Sequence, residues 1–287
     1  MQSVLVGVDG SDDSRTALRW GAMLASVTRL PLRAMWSWAY PGDAIVSWGR
    51  LELPHPRRAD ALVEGELFDL VKETLGEQSR RVLVEAGRGP AAGALLAAAE
   101  DPPALLVVGS RGLGGFKGLL LGSVSRQLCE HAVSPVTVLR GQSPVDELRL
   151  RTVMVGVDGS PGADRAQSFA ARLATEAGAE LVIASAVASG DLAQRPGTPA
   201  FVDLEGRREL IEGNCAQLRR AGLEPRVAVA EGDARPVLTD LAREHGADLL
   251  VVGSRGLGPV SKLLLGSVAS SLLHHAEMPV MVVPHPR

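Results

Sequence analysis

Residues 105–125 read LLVVGSRGLGGFKGLLLGSVS, and residues 249–269, 144 positions later, read LLVVGSRGLGPVSKLLLGSVA. A second matching pair lies upstream of each segment, with VLVGVDGS at residues 4–11 and VMVGVDGS at residues 153–160. A repeat of about 145 residues has the size of a domain and is too long for a solenoid module. The sequence therefore predicts two tandem copies of one domain, over 1–141 and 151–287, joined by a linker at 142–150.

Short apolar runs alternate with longer stretches of helical period in both copies. Apolar strands separated by helices are typical of a parallel sheet covered on both faces, and right-handed crossovers then give a doubly wound α/β domain. The predicted strands are Val4–Val8, Leu32–Trp36, Val82–Glu85, Leu105–Val108 and Val136–Leu139, then Val153–Val157, Leu181–Ala184, Arg226–Val229, Leu249–Val252 and Val280–Val283. The predicted helices of the first copy are Ser14–Ser26, Ala59–Gly76, Ala91–Ala99 and Ser123–Ala132.

Composition excludes several classes of protein. With 46% hydrophobic and 22% charged residues, the chain is expected to fold, and a net charge of −3 argues against a nucleic-acid partner. No apolar run has the length of a membrane span, and the N-terminus does not read as a signal peptide. Cys129 and Cys215 are too few for a disulfide framework and are expected to be buried. These observations predict a cytoplasmic protein.

Two motifs follow predicted strands directly: Asp9-Gly-Ser11 after the first and a glycine loop from Gly109 after the fourth. Ligands of open α/β sheets bind outside the carboxyl ends of the strands, where the strand order reverses. If strands one and four are neighbours, both motifs face one crevice. A helix beginning at Ser123 would direct free N–H groups into that crevice, where a phosphate fits. The serine hydroxyl either caps this helix or donates to the phosphate.

The glycine loop alone is also compatible with ordinary turn chemistry, as is Asp-Gly-Ser. However, the frame Gly-x-x-Gly, nine residues, Gly-Ser occurs in both copies, although residues inside the loop differ, such as Gly115 against Pro259. Shared spacing in diverged copies favours a common constraint. Other nucleotide motifs are absent: the loop lacks the Gly-Lys-Ser/Thr ending of a P-loop, and no Gly-x-Gly-x-x-Gly follows the first strand.

These residues resemble the universal stress protein family, in the version of the motif associated with members that bind ATP. The resemblance covers both copies and therefore nearly the whole chain. It implies two Rossmann-like domains of the adenine nucleotide alpha hydrolase-like type, one ATP site in each, and pairing of the domains through their last strands. That pairing would form a pseudo-dimer within the chain and protect two short apolar edges; a homodimer of chains is a further option.

The resemblance also implies roles for individual residues. Asp9 and Asp158 would lie near the ribose, and either could take part in binding Mg²⁺ with the ATP. Val8 and Val157 would lie beside these aspartates. The adenosine side would be lined by Val108 and Gly109 in the first copy, and by Val252 and Gly253 in the second. The phosphates would be held by Gly112, Gly122, Ser123, Val124 and Ser125 in the first copy, and by Gly256, Gly266, Ser267 and Val268 in the second.

Two details of these sites are less well defined by the sequence. Ala269 stands where the first copy has Ser125, so the second site is expected to lack one hydroxyl contact. The residue that closes over adenine from the end of the second strand is expected to be Ser37 in one copy and Ala186 in the other. Long irregular segments after the second strands, Ala39–Pro56 and Ala188–Pro199, are expected to be loops.

The expected function is a nucleotide-dependent regulator of stress response or signalling. A ligand-free scaffold and a slow ATP hydrolase are the alternatives that stay open. No constellation of a nucleophile and a general base is evident, and His131, His274 and His275 are expected to be surface or packing residues. An adenylyl-transferring enzyme of related fold would carry Ser-Gly-Gly-x-Asp-Ser or His-x-Gly-His after the first strand, and neither is present.

Overall fold

A computed structural model describes residues 1–39, 56–113, 121–140, 149–188, 203–257 and 264–285. The strands are β1 (Ser3–Gly7), β2 (Leu32–Trp38), β3 (Val82–Arg88), β4 (Ala104–Gly109), β5 (Val136–Leu139), β6 (Thr152–Gly156), β7 (Glu180–Val187), β8 (Arg226–Glu231), β9 (Leu249–Gly253) and β10 (Val280–Val283). The α-helices are α1 (Asp12–Thr28), α2 (Pro56–Leu75), α3 (Ala91–Glu100), α4 (Ser123–His131), α5 (Pro161–Ala177), α6 (Leu204–Arg220), α7 (Ala234–Glu244) and α8 (Ser267–His275). A 3₁₀ helix spans Gly76–Arg81.

One sheet contains all ten of these strands, in the order β3-β2-β1-β4-β5-β10-β9-β6-β7-β8. Neighbouring strands within each copy are parallel, and the two copies meet through an antiparallel pair, β5 and β10. In each copy the strand order reverses at the first strand, between β1 and β4 or between β6 and β9. The prediction of two tandem α/β domains paired through their last strands is confirmed.

The centre of this pairing is a pair of equivalent residues. Thr137 lies opposite Met281, and the flanking pairs are Val138 with Val280 and Val136 with Val282. Because Met281 occupies in the second copy the position of Thr137 in the first, the pseudo-twofold axis passes between these two residues. Both are fully buried.

Alternating strand residues supply two cores, one on each face of the sheet. Leu18 of α1 and Leu67 of α2 pack on the face that carries Val4, together with residues of α5 and α6. Helices α3, α4, α7 and α8 cover the other face, which carries Leu5. Each core includes residues of both copies, so the apolar layers continue across the β5–β10 junction.

Local signals in the sequence define the first helix of each copy. Ser11 and Ser160 occupy the N-caps of α1 and α5, and each side chain accepts a hydrogen bond from a backbone N–H three residues later. Both helices end on a left-handed residue, which is Gly178 in the second copy but Arg29, with φ of 55°, in the first. The first copy therefore keeps the same helix ending with a less permissive residue.

The predicted elements agree with the structure apart from their ends. β1 ends at Gly7, so Val8 follows the strand, and β2 continues to Trp38, so Ser37 lies inside it. Pro56 begins α2 and was wrongly assigned to the preceding loop. Most of the two predicted loops and of the linker lies outside the described residues, and the domain limits 1–141 and 151–287 stay a prediction.

Candidate functional site

The two motifs of each copy meet at the carboxyl edge of the sheet because β1 pairs with β4, and β6 with β9. The backbone N–H of Leu113 donates to Asp9 Oδ2 at 2.9 Å, and that of Leu257 donates to Asp158 Oδ2 at 3.1 Å. The other carboxylate oxygen accepts from the N–H of Ser11 or Ser160. Each aspartate therefore ties the turn after the first strand to the glycine loop after the fourth.

Gly112 and Gly256 are required by this close approach. A Cβ atom on Gly112 would stand 2.1 Å from Asp9 Oδ2, and one on Gly256 would stand 2.3 Å from Asp158 Oδ2. The glycines of the two turns are required for a different reason. Gly10 and Gly159 both have φ of +86°, a left-handed conformation that residues with a side chain rarely adopt.

A second repeated contact holds the start of α4 against the glycine loop of the first copy, and the start of α8 against that of the second. The N–H of Gly122 donates to Ser110 O and the N–H of Gly266 donates to Ser254 O, both at 2.7 Å. These glycines occupy the N-caps, and neither helix start has a side-chain cap. Of the two roles that the sequence left open for these serines, capping is excluded, because Ser123 and Ser267 are the first helical residues; both are exposed.

Ser125 is the predicted site residue whose hydroxyl the structure places inside the protein. Its Oγ donates to Ser110 O at 3.1 Å and to Gly122 O at 3.0 Å, and the side chain is buried. Ala269, its counterpart, is buried as well. The serine hydroxyl therefore adds a bond between the helix start and the loop in the first copy, and Ala269 cannot form that bond in the second.

The predicted valines pack in the cores, and the predicted strand-end glycines close β4 and β9. Val8 and Val108 belong to the cores on opposite faces of the sheet, and Val157 and Val252 repeat this arrangement. Val124 and Val268 pack against the core under α4 and α8. Gly109 and Gly253 end β4 and β9, where a Cβ atom would come within 2.8 Å of Asp13 Cβ or of the Gly162 carbonyl carbon.

Asp13 is the contact residue that the sequence reasoning missed. Its Oδ2 accepts from Ser110 Oγ at 3.0 Å and from the N–H of Arg111 at 3.2 Å, both in the glycine loop. Gly162 occupies the equivalent position in the second copy. Aligning the two copies would have revealed this difference, because Asp13 lies four residues after Asp9 and Gly162 lies four after Asp158.

The end of β2 also differs from the end of β7. Trp36 lies beside the turn after β1, with its Cη2 atom 3.4 Å from where a Gly10 Cβ would be, whereas nothing lies within 4 Å of that point on Gly159. The strand register places Ser185 where the first copy has Trp36, and the Ser185 hydroxyl donates to Val157 O. Ser37 and Ala186 are half-buried strand residues.

Titratable side chains outside the crevice are consistent with packing roles. His274 and His275 lie in the last turn of α8, and burial lowers the pKa of His274, with His275 and Arg140 acting in the same direction. Burial raises the pKa of both Cys129 and Cys215. Within the described ranges, no group of three or more His, Cys, Asp or Glu side chains is arranged to hold a metal, and no helix is long and apolar enough to cross a membrane.

Comparison with known proteins identifies the family. The family model described as "Universal stress protein family" matches twice, over residues 1–140 and 149–284. The chain belongs to the universal stress protein family. It is a tandem member, in agreement with the resemblance drawn from its motifs.

Relatives of similar length support this assignment. A universal stress protein of Mycolicibacterium smegmatis is 32% identical over 289 residues, covering 98% of this chain and 96% of that protein. One from Mycobacterium tuberculosis is 30% identical over 290 residues, covering 97% and 96%. The crystal structure of a universal stress protein from Archaeoglobus fulgidus covers 99% of this chain and 96% of that one with a TM-score of 0.66 and 23% identity, which supports the fold.

Proposed function

We propose that this universal stress protein binds ATP at two sites, one at the carboxyl edge of the sheet in each copy, and that nucleotide occupancy changes its conformation or its choice of partner. The observation that carries the proposal is the repeated anchoring of α4 and α8. In both copies a helix start without a side-chain cap is held against the glycine loop through the same 2.7 Å bond, and the aspartate of the first turn is bonded to that loop. Uncapped helix N-termini present free N–H groups and favour phosphate.

The residues of the site divide into a base side and a phosphate side. Backbone N–H groups of Ser123, Val124 and Ser125, and of Ser267 and Val268, would donate to the phosphates, while Gly122 and Gly266 hold each helix start against its loop. The ribose would lie near Asp9 or Asp158, whose position the Leu113 or Leu257 N–H fixes. Val8 and Val157 would lie beside these aspartates. The adenosine side would be lined by Val108 and Gly109, and by Val252 and Gly253 in the second copy, and Gly112 and Gly256 leave room for the loop to approach the aspartate.

Magnesium would enter with the nucleotide. Carboxylate oxygens suit Mg²⁺, which is usually held by one or two carboxylates together with substrate phosphates. Asp9 and Asp158 are the candidates, since each already orders the loop that faces the phosphates. A slow ATP hydrolase is the enzymatic alternative, and it would depend on water near these same carboxylates. A binding protein is favoured because the feature that both copies repeat is a helix start without a side-chain cap beside a glycine loop, which suits phosphate binding.

The first test is to heat-denature the purified protein, remove the precipitate and identify any released nucleotide by chromatography. Thermal unfolding with added ATP gives an independent measure, because ATP at about 100 times its dissociation constant should add roughly 2.7 kcal/mol to the free energy of unfolding. Release of adenine nucleotide or a rise in the melting temperature supports the proposal. If no nucleotide is released and the melting temperature does not rise, the ligand-free scaffold is the function that is left.

A further inference from the structure

We propose that the two nucleotide sites differ in ligand charge: the second copy takes the triphosphate, and the first copy prefers adenine ligands with fewer phosphate charges. The inference rests on the proposed function and concerns its specificity. It follows from one exchange between the copies, Asp13 for Gly162, and from what this exchange does to the equivalent arginines, Arg111 and Arg255.

Asp13 places a carboxylate against the glycine loop of the first copy. One oxygen, Oδ2, accepts bonds from Ser110 Oγ and from the Arg111 N–H, and lies 3.9 Å from Arg111 Nε. The Asp13 side chain is 16% exposed, so water screens its charge only partly. The loop that would face phosphate thus has one N–H donor occupied, one cation paired, and a negative charge added.

The second copy has none of these features. Gly162 carries no side chain, and a Cβ atom there would stand 2.4 Å from Arg255 O, so the loop backbone occupies the space that an aspartate would need. The Ser254 hydroxyl accepts from the N–H of His285 and has no carboxylate partner among the described residues. The difference is therefore built into the backbone as well as into one side chain.

Arg255 is left with unmet hydrogen-bonding capacity. Its Nε is buried and has no hydrogen-bond partner within the described part of the chain, and no ion pair involving it occurs there. A buried donor of a charged group is costly unless a partner completes it. The Cα atom of Arg255 lies 3.5 Å from where a Gly266 Cβ would stand, so the residue adjoins the start of α8, and a phosphate held there is the partner that we infer for it.

The part of the site that would hold the adenine base also differs between the copies, and here the difference favours the first copy. Trp36 adds an aromatic surface beside the turn of the first copy, where the second copy has the small buried Ser185. Aromatic surface strengthens binding of a base regardless of the charge at the other end of the ligand. The first site therefore gains affinity from the base, and the second gains it from the phosphates.

The sequence offers a means of observing one site alone. All four tryptophans, Trp20, Trp36, Trp38 and Trp48, belong to the first copy, so intrinsic fluorescence reports that copy. Calorimetry reports both. We would titrate the full chain with ATP and with adenosine by both methods. In the wild type we expect two ATP affinities that differ by about tenfold or more, with the fluorescence signal following the weaker one.

Substitutions then assign the difference to residues. Asp13→Asn keeps an acceptor for the loop but removes the charge, and should strengthen ATP binding in the fluorescence titration by about tenfold with little effect on adenosine. Arg255→Gln should weaken the tight ATP site by about tenfold, whereas the matched Arg111→Gln should change it less than about threefold. Circular dichroism would verify folding of each variant.

The outcomes separate this inference from the proposed function. Two equal ATP affinities in the wild type, or an unchanged preference between ATP and adenosine in Asp13→Asn, would overturn the inference and leave ATP binding intact. Equal effects of the Arg255 and Arg111 variants would also overturn it. Absence of ATP binding by both methods would instead contradict the proposed function itself.

Discussion

Asp9 and Gly112 lie so close together that a Cβ atom on the glycine would stand 2.1 Å from Asp9 Oδ2. The same pair recurs as Asp158 and Gly256. This contact joins two segments about a hundred residues apart. The aspartate can occupy its position only because the loop residue beside it has no side chain.

Substitution of Gly112 and Gly256 by alanine should displace the aspartates and weaken nucleotide binding by more than about tenfold, with a loss of roughly 1 kcal/mol in the free energy of unfolding from the broken hydrogen bonds. Calorimetric titration with ATP and urea unfolding measure the two effects. Gly93→Ala is the control, because nothing lies within 4 Å of its Cβ position. Wild-type affinity in the double variant would show that the aspartates can move without consequence.

Leucine at both Gly122 and Gly266 should abolish nucleotide binding while the fold is kept. Both residues have extended backbone at the N-cap, which leucine can adopt, but the added side chain would stand over the helix start. The readout is ATP-induced stabilisation in thermal unfolding. Gly65→Ala and Gly213→Ala, in open space on α2 and α6, should instead raise the free energy of unfolding by about 0.5–1 kcal/mol each. Retained ATP binding in the leucine variant would remove these glycines from the phosphate site.

Acid should destabilise the protein in part through His274. Because burial lowers the pKa of His274 in the folded state, the unfolded chain binds the proton more readily. The contribution of this histidine to stability is therefore complete above pH of about 6.5 and is lost as the pH falls below that value. Urea unfolding of His274→Gln between pH 7.5 and 5 should show a shallower decline than the wild type, and an identical decline would contradict the assignment.

Thr137→Val should stabilise the junction between the copies. The Thr137 hydroxyl is buried opposite Met281 and has no hydrogen-bond partner among the described residues, so its removal relieves an unsatisfied polar group. We expect the free energy of unfolding to rise by about 1 kcal/mol. Thr175→Val provides the contrast, because that hydroxyl donates to Ala171 O at 2.9 Å and its loss brings no such gain. A destabilised Thr137→Val protein would mean that the hydroxyl has a partner.

Neither cysteine should react in the native protein. Cys129 and Cys215 are buried, and burial raises the pKa of both thiols, which keeps them in the unreactive protonated form. A thiol reagent at pH 8 should label two groups per chain in denaturant and almost none before unfolding. Rapid labelling of one thiol in the native state would place that residue at an accessible site.

The fold could be predicted from the sequence because its signals are local and occur twice. The apolar runs that form β4 and β9, and the serine caps of α1 and α5, are legible in single stretches of chain. The sequence left open whether strands one and four are neighbours, and the pairing of β1 with β4 meets that condition. Even the antiparallel contact of β5 with β10 agreed with the family resemblance.

The details of the site were harder to predict from the sequence, because they depend on distances across the sheet. Nothing local in the sequence indicates that Asp13 reaches Arg111, or that the Ser125 hydroxyl is bound to Ser110 O. The end of β2 was misjudged for a related reason: Ser37 reads as a residue after the strand, but pairing with Gly87 on β3 extends the strand beyond it. Register with a neighbouring strand determines where a strand ends, and one strand alone does not contain that information.

The antiparallel joining of β5 and β10 reverses the polarity of the sheet at its midline. The carboxyl ends of β1 and β4 therefore point to one rim of the molecule, and those of β6 and β9 point to the opposite rim. A flat partner that covers one crevice leaves the other facing away from it. Nucleotides bound at the two proposed sites would therefore be exposed at opposite rims of one chain, where each could meet a different partner.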